Sequence, residues 1–352
     1  MYLEQTPRYR KKTLKMLIGL LKKSVKTVIS SPWGWRMSAP FRSRAVMSLM
    51  YHRINDQSAQ FPGISVQRFR EQMQWLRNNC TPIRCEEIVD AARFAGKIRP
   101  PVVITFDDGY RDYHDVAYPI LREYKIPAAV FLATSFMDNG GLIWTEAMRH
   151  ALTITNKKSI TLTFMGNRTY SLVSAFQRSQ FLDEAKLVLK SISDIDRQKS
   201  VAELLEALGV LDPGQDLPRQ MLSWGEVRAT MDGTSYGGHT HTHPILSQLS
   251  ATALEQEIRL CRDRLLAETN IAPTLFAYPN GRRQDFNDAT KAALKRSGFN
   301  LSFSTIEGLI DADSDPMELR RQPACDTSLG DFAAIVAGIN RSSRVSSQNH
   351  GY

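Results

Sequence analysis

The sequence predicts an α/β protein built on a parallel sheet or barrel. One pattern indicates this fold class, and an interruption of the pattern indicates an insertion. Short apolar strands alternate with amphipathic helices across residues 45–340, as they do in parallel α/β folds. Between about residues 145 and 220 this alternation stops, and afterwards it resumes. We therefore expect one domain that carries an insertion, and the length of 352 residues gives ample chain for its core.

Each element before the insertion follows from a local pattern. The apolar run AVMSLMY predicts the first strand at residues 45–51, and the run PVVITF predicts a buried strand at residues 101–106. Ser65 is the expected N-cap of a helix that runs to about residue 76. The other predicted elements here are helices at residues 85–95 and 112–124 and a strand at residues 128–133.

Within the insertion, Gly166 and Asn167 predict the turn of a hairpin. The hairpin strands are expected at residues 160–164 and 169–173, with helices at residues 176–192 and 196–208. After the insertion, strands at residues 234–238, 274–277, 301–304 and 319–322 alternate with helices at residues 252–267, 285–295 and 330–339. The Ser-rich tail at residues 341–352 is expected to be disordered.

The net charge of +9 is concentrated at one end of the chain. Residues 1–45 contain eleven Lys and Arg residues and one acidic residue, Glu4, and so carry +10. The other 307 residues contain 34 basic and 35 acidic residues and carry −1. Because this body is nearly neutral, we expect no nucleic-acid partner.

Residues 1–44 form a basic arm with the pattern of an amphipathic helix. Apolar side chains of residues 8–29 gather on one side of a helical wheel, and lysines gather on the adjoining side. We expect this helix to lie on an anionic membrane surface, and the alternatives are a helix docked on protein or an atypical secretory signal. No stretch reaches the ~18 apolar residues of a spanning helix.

The cysteines bear on the compartment. Four scattered cysteines without a C-x-x-C pair are typical of a reducing environment. The chain is therefore interpreted as cytoplasmic and peripheral on the inner face of the membrane, with an exported or membrane-anchored protein as the alternative.

Two adjacent carboxylates, Asp107 and Asp108, follow directly after the predicted strand at residues 101–106. Active sites of parallel α/β folds lie at the carboxyl ends of the strands. Two neighbouring carboxylates repel each other unless something compensates, and a divalent cation commonly does so. The alternative is a helix start in which an Asp is the cap and Gly109 the turn residue.

Three of the seven histidines, His239, His241 and His243, lie within five residues after another predicted strand. Neutral imidazoles this close are common ligands of Zn²⁺, Ni²⁺ or Co²⁺. If the segment turns, His239 and His243 converge; if it is extended, all three line one face. A surface histidine run without metal is the third alternative.

The segment TFDDGY at residues 105–110, followed by H-T-x-x-H at residues 239–243, resembles the first two motifs of the polysaccharide deacetylases, the NodB-homology domains of carbohydrate esterase family 4. The resemblance covers about residues 45–339 and implies a distorted (β/α)7-type barrel with a helical and hairpin insertion. It implies that Asp108, His239 and His243 bind a divalent metal, with Zn²⁺ expected and Co²⁺ or Ni²⁺ as alternatives.

The resemblance also implies roles for the neighbouring residues. Asp107 would be the general base, and the backbone N–H of Tyr110 would bind the oxyanion. The family's usual Leu-x-His acid motif is missing, because after His243 only His350 remains. His52 is the candidate acid instead, as in the circularly permuted exopolysaccharide and biofilm branch of the family. His114 is the fallback.

The third motif, FAYPNG at residues 276–281, matches an F-x-x-P-x-G frame of the family. It has an alanine where many members have the arginine that orients the base. Arg320 or Arg321 could take this role, and Arg321 is also a candidate for substrate binding. Tyr278 and Pro279 are expected to shape the wall of the substrate groove.

The resulting hypothesis is a metal-dependent hydrolase that removes N-acetyl groups from N-acetylhexosamine residues of a polysaccharide or lipid-linked glycan. Trp144 and Trp224 could stack on sugar rings or belong to the core. The alternatives are a non-catalytic carbohydrate-binding protein on the same barrel and an amide hydrolase acting on a non-sugar substrate.

Overall fold

The computed structural model describes residues 45–56, 61–94 and 99–338. The predicted basic arm at residues 1–44 and the tail at residues 341–352 lie outside these ranges. In the described ranges, no helix combines the length and the apolar character needed to cross a bilayer.

A curled parallel sheet forms the centre of the described chain. Its strands, and a separate hairpin formed by β5 and β6, are β1 Met47–Tyr51, β2 Thr81–Pro82, β3 Pro101–Phe106, β4 Ala128–Leu132, β5 Ser159–Leu162, β6 Arg168–Ser171, β7 Thr234–Gly238, β8 Leu275–Ala277, β9 Leu301–Phe303 and β10 Gln322–Pro323. The sheet order is β10-β1-β3-β4-β7-β8-β9, β2 pairs with β3, and the neighbouring strands are parallel.

The two ends of this sheet approach each other. Leu319 forms a parallel bridge with Phe303 of β9, and three residues later Gln322 pairs with Leu49 of β1. The short segment at residues 319–323, which contains β10, therefore contacts β1 on one side and β9 on the other, and the sheet curls into a (β/α) barrel. This result confirms the predicted fold class.

Helices surround the sheet and connect its parallel strands. They are α1 Val66–Asn79, α2 Tyr118–Tyr124, α3 Thr134–Asn139, α4 Trp144–Ile154, α5 Ala175–Leu189, α6 Asp194–Leu208, α7 Trp224–Ala229, α8 Ala251–Thr269, α9 Asp288–Arg296 and α10 Leu329–Val336. Aliphatic and aromatic side chains of β1, β3 and β4 are buried on both faces of the sheet, which explains the continuous apolar runs of these strands.

The segment between β4 and β7 has a core of its own. Buried residues of α4, the β5–β6 hairpin, α5 and α6 form one cluster, which includes Met148, Tyr170, Phe181 and Leu204. At the hairpin turn, Gly166 and Asn167 both have positive φ angles, of 71° and 56°. Those conformations suit glycine and asparagine, so the turn forms where the sequence places it.

The structure corrects several local predictions. The Ser65 hydroxyl does not cap α1; it donates to Asp326, and the N–H of Val66 donates to Asp56 Oδ1 at 3.1 Å. The predicted helix at residues 85–95 is a 3-10 segment, Cys85–Phe94, interrupted at Asp90. The helix predicted at residues 112–124 begins as a π-helical turn, Tyr113–Ala117. Helices α3 and α7, of six residues each, and α4, of 11 residues, have no counterpart among the predicted elements.

Candidate active site

Asp107 and Asp108 lie at the carboxyl end of β3, where the backbone turns sharply. The N–H of Asp107 donates to the carbonyl of Tyr51 at 3.0 Å, which ties this residue to the end of β1. Asp108 then has a φ of 73° and Gly109 a φ of 84°. A side chain at Gly109 would approach Leu132 Cδ2 to 2.8 Å, so the turn requires glycine. A non-glycine residue with positive φ, such as Asp108, stores strain of a kind found at functional sites.

The histidine segment after β7 turns. Thr240 and His243 have φ angles of 68° and 60°, and the N–H of His243 donates to Thr240 Oγ1 at 3.0 Å. As a result, the rings of His239 and His243 lie 4.9 Å apart between centroids. The structure thus selects the turned alternative, in which these two histidines converge.

Helix α8 fixes this turn from outside. Glu257 accepts hydrogen bonds from the backbone N–H groups of His241 and Thr242, both at 2.9 Å, and from the Thr242 hydroxyl at 2.7 Å. The His241 ring faces away from the other two histidines, with Nδ1 2.8 Å from Thr134 Oγ1. The alternative of a three-histidine site does not match this geometry.

Asp108, His239 and His243 form a buried cluster that suits a divalent metal. Asp108 Oδ1 lies 3.3 Å from Nε2 of each histidine, and it is buried without a hydrogen-bond partner. Nδ1 of His239 donates to the carbonyl of Ala277 at 2.7 Å, which leaves its Nε2 lone pair facing Asp108. A buried carboxylate oxygen facing two imidazole nitrogens, without a donor, is the donor set that a catalytic zinc-type site uses. Burial would raise the pKa of Asp108, but the two facing histidines hold it well below its usual range.

Asp107 is paired with a buried arginine. Arg321 donates to both oxygens of Asp107, at 2.6 and 2.7 Å, and it also donates to Ser304 O and Thr105 Oγ1. Burial would raise the pKa of Asp107, but the Arg321 guanidinium and His239 outweigh this effect and lower it. Asp107 is therefore ionised and oriented beside the cluster.

This geometry decides which of the two candidate arginines, Arg320 or Arg321, orients Asp107. Arg321 is fully buried, at 0% exposure, and all three nitrogens of its guanidinium already donate to Asp107, Thr105 or Ser304, so the predicted substrate-binding role is wrong. Its contacts are those of a residue that orients Asp107. Arg320 is exposed and has no part in this pair.

His52 lies at the end of β1, beside the carboxylate pair. Its Nε2 is 3.9 Å from Asp107 Oδ2, and its side chain is 10% exposed. Burial lowers the pKa of His52, although the charges of Asp108 and Asp107 act in the opposite direction. The fallback candidate, His114, is 35% exposed and its Nδ1 contacts Asp115 at 2.8 Å, outside this cluster.

The backbone of Tyr110 lies next to the same turn. Tyr110 forms an antiparallel bridge with Met221, and the bonds of this bridge run from Leu222 N–H to Gly109 O and from Arg111 N–H to Gln220 O. In such a pair, the N–H of the central residue points away from the partner strand. The Tyr110 N–H is therefore directed away from residues 220–222, as an oxyanion donor at the site would require.

The sequence reasoning missed Arg53, which links the barrel to the insertion. Its guanidinium lies 3.6 Å from the Tyr110 ring centroid and donates to both carboxylate oxygens of Glu146, at 2.8 and 3.0 Å. Burial raises the pKa of the neighbouring Asp112 to about 7, although the positive charge of Arg53 acts in the opposite direction. The position of Arg53 directly after His52 was the available signal.

The remaining predicted contacts are largely structural. Tyr278 is 1% exposed, its hydroxyl donates to Met317 O at 2.7 Å, and its ring stacks on Phe286. Its side chain offers no open surface to a substrate, which corrects the predicted role, and Pro279 is buried as well. Trp224 is also a packing residue, because its Nε1 donates to Asp138 at 2.7 Å. Trp144 is half-buried, and its Nε1 has no hydrogen-bond partner.

A second grouping of potential ligands, His114, Asp115 and Glu226, is of a different kind. Arg219 donates to both oxygens of Glu226, at 2.7 and 2.8 Å, and Arg111 lies 3.1 Å from Asp115. The hydrogen bond from Arg219 is the main reason that the pKa of Glu226 falls to about 2. These guanidinium groups already compensate the carboxylates, so no cation is needed there.

Comparison with known proteins agrees with the fold and the motifs. The family model described as polysaccharide deacetylase matches residues 96–175 and 219–302, and the gap between the two matches falls within the insertion. The structure resembles the deacetylase PplD of Streptococcus pyogenes, solved with acetate, with a TM-score of 0.56, 20% identity and coverage of 83% of this chain and 98% of that one. IcaB from Ammonifex degensii gives a TM-score of 0.54, 17% identity and coverage of 84% and 98%. At these identities the likeness concerns the fold.

Curated relatives match over shorter stretches. A poly-beta-1,6-N-acetyl-D-glucosamine N-deacetylase of Escherichia coli K12 is 33% identical over 104 residues, which is 28% of this chain and 15% of that protein. A protein of the same name from Staphylococcus epidermidis is 24% identical over 183 residues, 46% of this chain and 60% of that one. The chain thus spans a small part of the Escherichia coli relative's length.

Proposed function

We propose that the chain, whose residues 96–175 and 219–302 match the family model of the polysaccharide deacetylases, is a metal-dependent hydrolase that removes N-acetyl groups from N-acetylhexosamine residues of a polysaccharide or lipid-linked glycan. One observation carries this proposal. The buried Asp108, His239 and His243 cluster lies beside an ionised carboxylate, Asp107, at the carboxyl ends of parallel strands. An exopolysaccharide built from N-acetylglucosamine is the first candidate substrate, since this is what the names of two relatives state for those proteins.

Asp108, His239 and His243 would hold the metal, with Zn²⁺ expected and Co²⁺ or Ni²⁺ as alternatives. Three protein ligands leave coordination positions open, as catalytic sites require. A divalent ion held there would supply Lewis-acid polarisation of the amide carbonyl. Two observations support this assignment. Asp108 Oδ1 is buried without a hydrogen-bond partner, and Nε2 of His239 faces it because Nδ1 is bonded to Ala277.

Asp107 would act as the general base. Arg321 keeps its carboxylate ionised and fixes its plane, so a proton from the attacking water would be accepted at a predefined atom. The Tyr110 N–H would donate to the oxygen that gains charge when water adds to the amide carbon.

His52 would donate a proton to the leaving amine. Its lowered pKa means that it is mainly neutral at neutral pH, so the proton must be supplied during the reaction. Asp107 Oδ2, at 3.9 Å, lies close enough to pass on the proton it accepts after a small movement. The two residues would thus connect proton removal from water to protonation of the amine.

We further propose a cytoplasmic location at the inner face of the membrane. The support is the +10 charge and the amphipathic pattern of the arm. Lipid-linked glycans are assembled at such a surface, so an arm of this kind would bring the domain to them.

The decisive experiment is an acetate-release assay. The full chain, loaded in turn with Zn²⁺, Co²⁺ or Ni²⁺, is incubated with N-acetylglucosamine oligomers and with a lipid-linked N-acetylated glycan. Acetate release that stops with a chelator and returns with the metal supports the proposal. Metal binding and glycan binding without acetate release would favour the non-catalytic alternative. Non-sugar N-acetylated amides are assayed in the same way. Acetate release from these amides alone would favour the amide hydrolase acting on a non-sugar substrate.

A further inference from the structure

Three basic side chains of the insertion are near enough for the charge of one to act on the next, at the boundary where Gln248 of the barrel bonds the carbonyl of Lys190. Lys186 is on α5, Lys190 is the residue that ends this helix, and Arg197 is on α6; we call these three residues the basic seam. Lys186 is 6% exposed and Arg197 is 4% exposed. Cationic side chains are rarely buried to this extent unless an anion accompanies them.

The charges of the basic seam are incompletely compensated within the protein. In the part of the chain that the structure describes, no carboxylate forms an ion pair with the ammonium group of Lys186 or Lys190. Arg197 bonds Asp194 through Nη2, but its Nη1 is buried without a hydrogen-bond partner. Two acids, Asp183 and Glu146, act on Lys186 without forming an ion pair with it, and Glu146 is already bonded to Arg53.

Burial and neighbouring positive charges both disfavour the charged forms of the two lysines. Burial, together with the charges of Arg149 and Lys190, lowers the pKa of Lys186 to about 7. Burial and the charge of Arg282 lower the pKa of Lys190 to about 8, although Asp285 acts in the opposite direction. An anion placed among these groups would remove the cost that both shifts reflect.

The basic seam is close to the candidate catalytic residues. The Arg197 guanidinium lies 5.5 Å from the centroid of the Trp144 ring, and Trp144 packs against the cluster that contains Tyr110. Trp144 Nε1 is a buried donor without a partner, so a second unsatisfied group lies beside Arg197. Gln248 donates to the carbonyl of Lys190 at 2.8 Å, which joins the seam to the chain that follows the histidine turn.

We propose that the basic seam binds an oxyanion, a carboxylate or a phosphate, carried by the glycan near the N-acetylated sugar. This inference rests on the proposed function and narrows its substrate to a glycan that carries an acidic group. A polymer of N-acetylglucosamine alone is neutral, so it would satisfy the inference only with an acidic substituent. The two ammonium groups and Nη1 of Arg197 supply charged N–H donors, which bind oxyanions more strongly than neutral donors do. A neutral glycan would leave these groups uncompensated.

The test compares three N-acetylglucosamine-containing tetrasaccharides. One is the neutral N-acetylglucosamine tetramer, one is a hyaluronan tetramer that carries carboxylates, and one is the neutral tetramer with a terminal 1-phosphate. The parent chain, Lys186→Gln, Lys190→Gln and the control Lys199→Gln are assayed for kcat/KM. Lys199 is exposed on the same helix as Arg197, so its variant removes a charge outside the seam.

We expect the parent to prefer an acidic tetramer over the neutral one by about 10-fold or more. This ratio should fall toward one in Lys186→Gln and Lys190→Gln and stay unchanged in Lys199→Gln. The tetramer that gives the larger ratio identifies the anion as carboxylate or phosphate. A parent without preference, or a preference that survives both seam variants, overturns the inference.

A binding measurement separates this inference from the proposed function. Asp107→Asn, which should not turn over, is titrated with the same tetramers by calorimetry at low and high salt. Tighter, salt-sensitive binding of an acidic tetramer supports the seam even if no acetate is ever released. Equal affinities for neutral and acidic tetramers contradict it, whatever the activity.

Discussion

At the scale of single residues, the two neighbouring carboxylates differ because their surroundings differ. Asp107 is held by the bidentate pair with Arg321, whereas Asp108 faces His239 and His243 without a donor on Oδ1. One carboxylate is thus compensated by the protein and the other is left for a cation. The reversal of the backbone at Asp108, with its positive φ, is what separates them.

The two carboxylates can be distinguished by substitution. We expect Asp107→Asn to retain a bound divalent ion while turnover falls by ~10²- to 10⁴-fold, the usual contribution of a general base. Asp108→Ala should lose both the metal and the activity. Metal content by mass spectrometry and acetate release are measured on the same samples. Parental activity in Asp107→Asn would exclude the proposed base.

Replacing Arg321 should change the pH dependence of the reaction. Arg321 lowers the pKa of Asp107, so in Arg321→Lys this pKa rises and the carboxylate is protonated over a wider acidic range. The acid limb of kcat/KM therefore moves to higher pH, while metal content stays at the parental level. Arg321→Ala should also cost ~3–5 kcal/mol of unfolding free energy, because it leaves a buried charge unpaired. An unchanged acid limb in Arg321→Lys would show that Arg321 is structural without positioning the base.

At the scale of elements, the site depends on loops that helices hold in place. The histidine turn contains two residues with positive φ and relies on Glu257 of α8 for three hydrogen bonds. Two glycines that end β7 allow close packing, since a side chain at Gly237 would lie 2.5 Å from Leu275 O. Through Glu257, helix α8 holds the turn in which His239 and His243 lie close together.

Weakening this clamp should reduce metal affinity. Glu257→Ala removes the acceptor of three hydrogen bonds, so the turn loses its support and Zn²⁺ affinity is expected to fall about 10-fold or more. Calorimetric titration with Zn²⁺ gives the affinity, and thermal unfolding gives the stability. Glu255→Ala is the matched control, because this residue is on the same helix but pairs with Arg296 near the surface. Equal Zn²⁺ affinities in the two variants would contradict the role given to Glu257.

At the scale of the whole molecule, the insertion contacts the barrel next to the candidate site. Arg53 leaves the barrel at the end of β1 and pairs with Glu146 of α4, and Trp144 of α4 packs near Tyr110. The insertion therefore forms part of the surroundings of the candidate catalytic residues. The basic arm concerns a separate question, the proposed location of the protein at a membrane surface.

Removing the arm should separate location from catalysis. Deletion of residues 1–40 is expected to abolish binding to vesicles that contain anionic lipid, because the charge of this segment is lost. Turnover of soluble oligomers should remain at the parental level. Vesicle co-sedimentation and acetate release are measured side by side. If the shortened chain fails to fold, the helix is docked on the domain and the membrane role is wrong.

The sequence by itself predicted the fold class and the positions of most barrel strands along the chain, and the family resemblance of its motifs pointed to Asp108, His239 and His243 as candidate metal ligands. It could do so because buried parallel strands appear as apolar runs, and because both motifs directly follow strands whose carboxyl ends meet at one edge of a parallel sheet. Only the tertiary structure decided that the histidine segment turns, that Arg321 pairs with Asp107, that Tyr278 faces the core and that Arg53 joins the insertion to the barrel. These contacts join residues far apart along the chain, and local patterns carry no information about which distant side chains the closed sheet brings together.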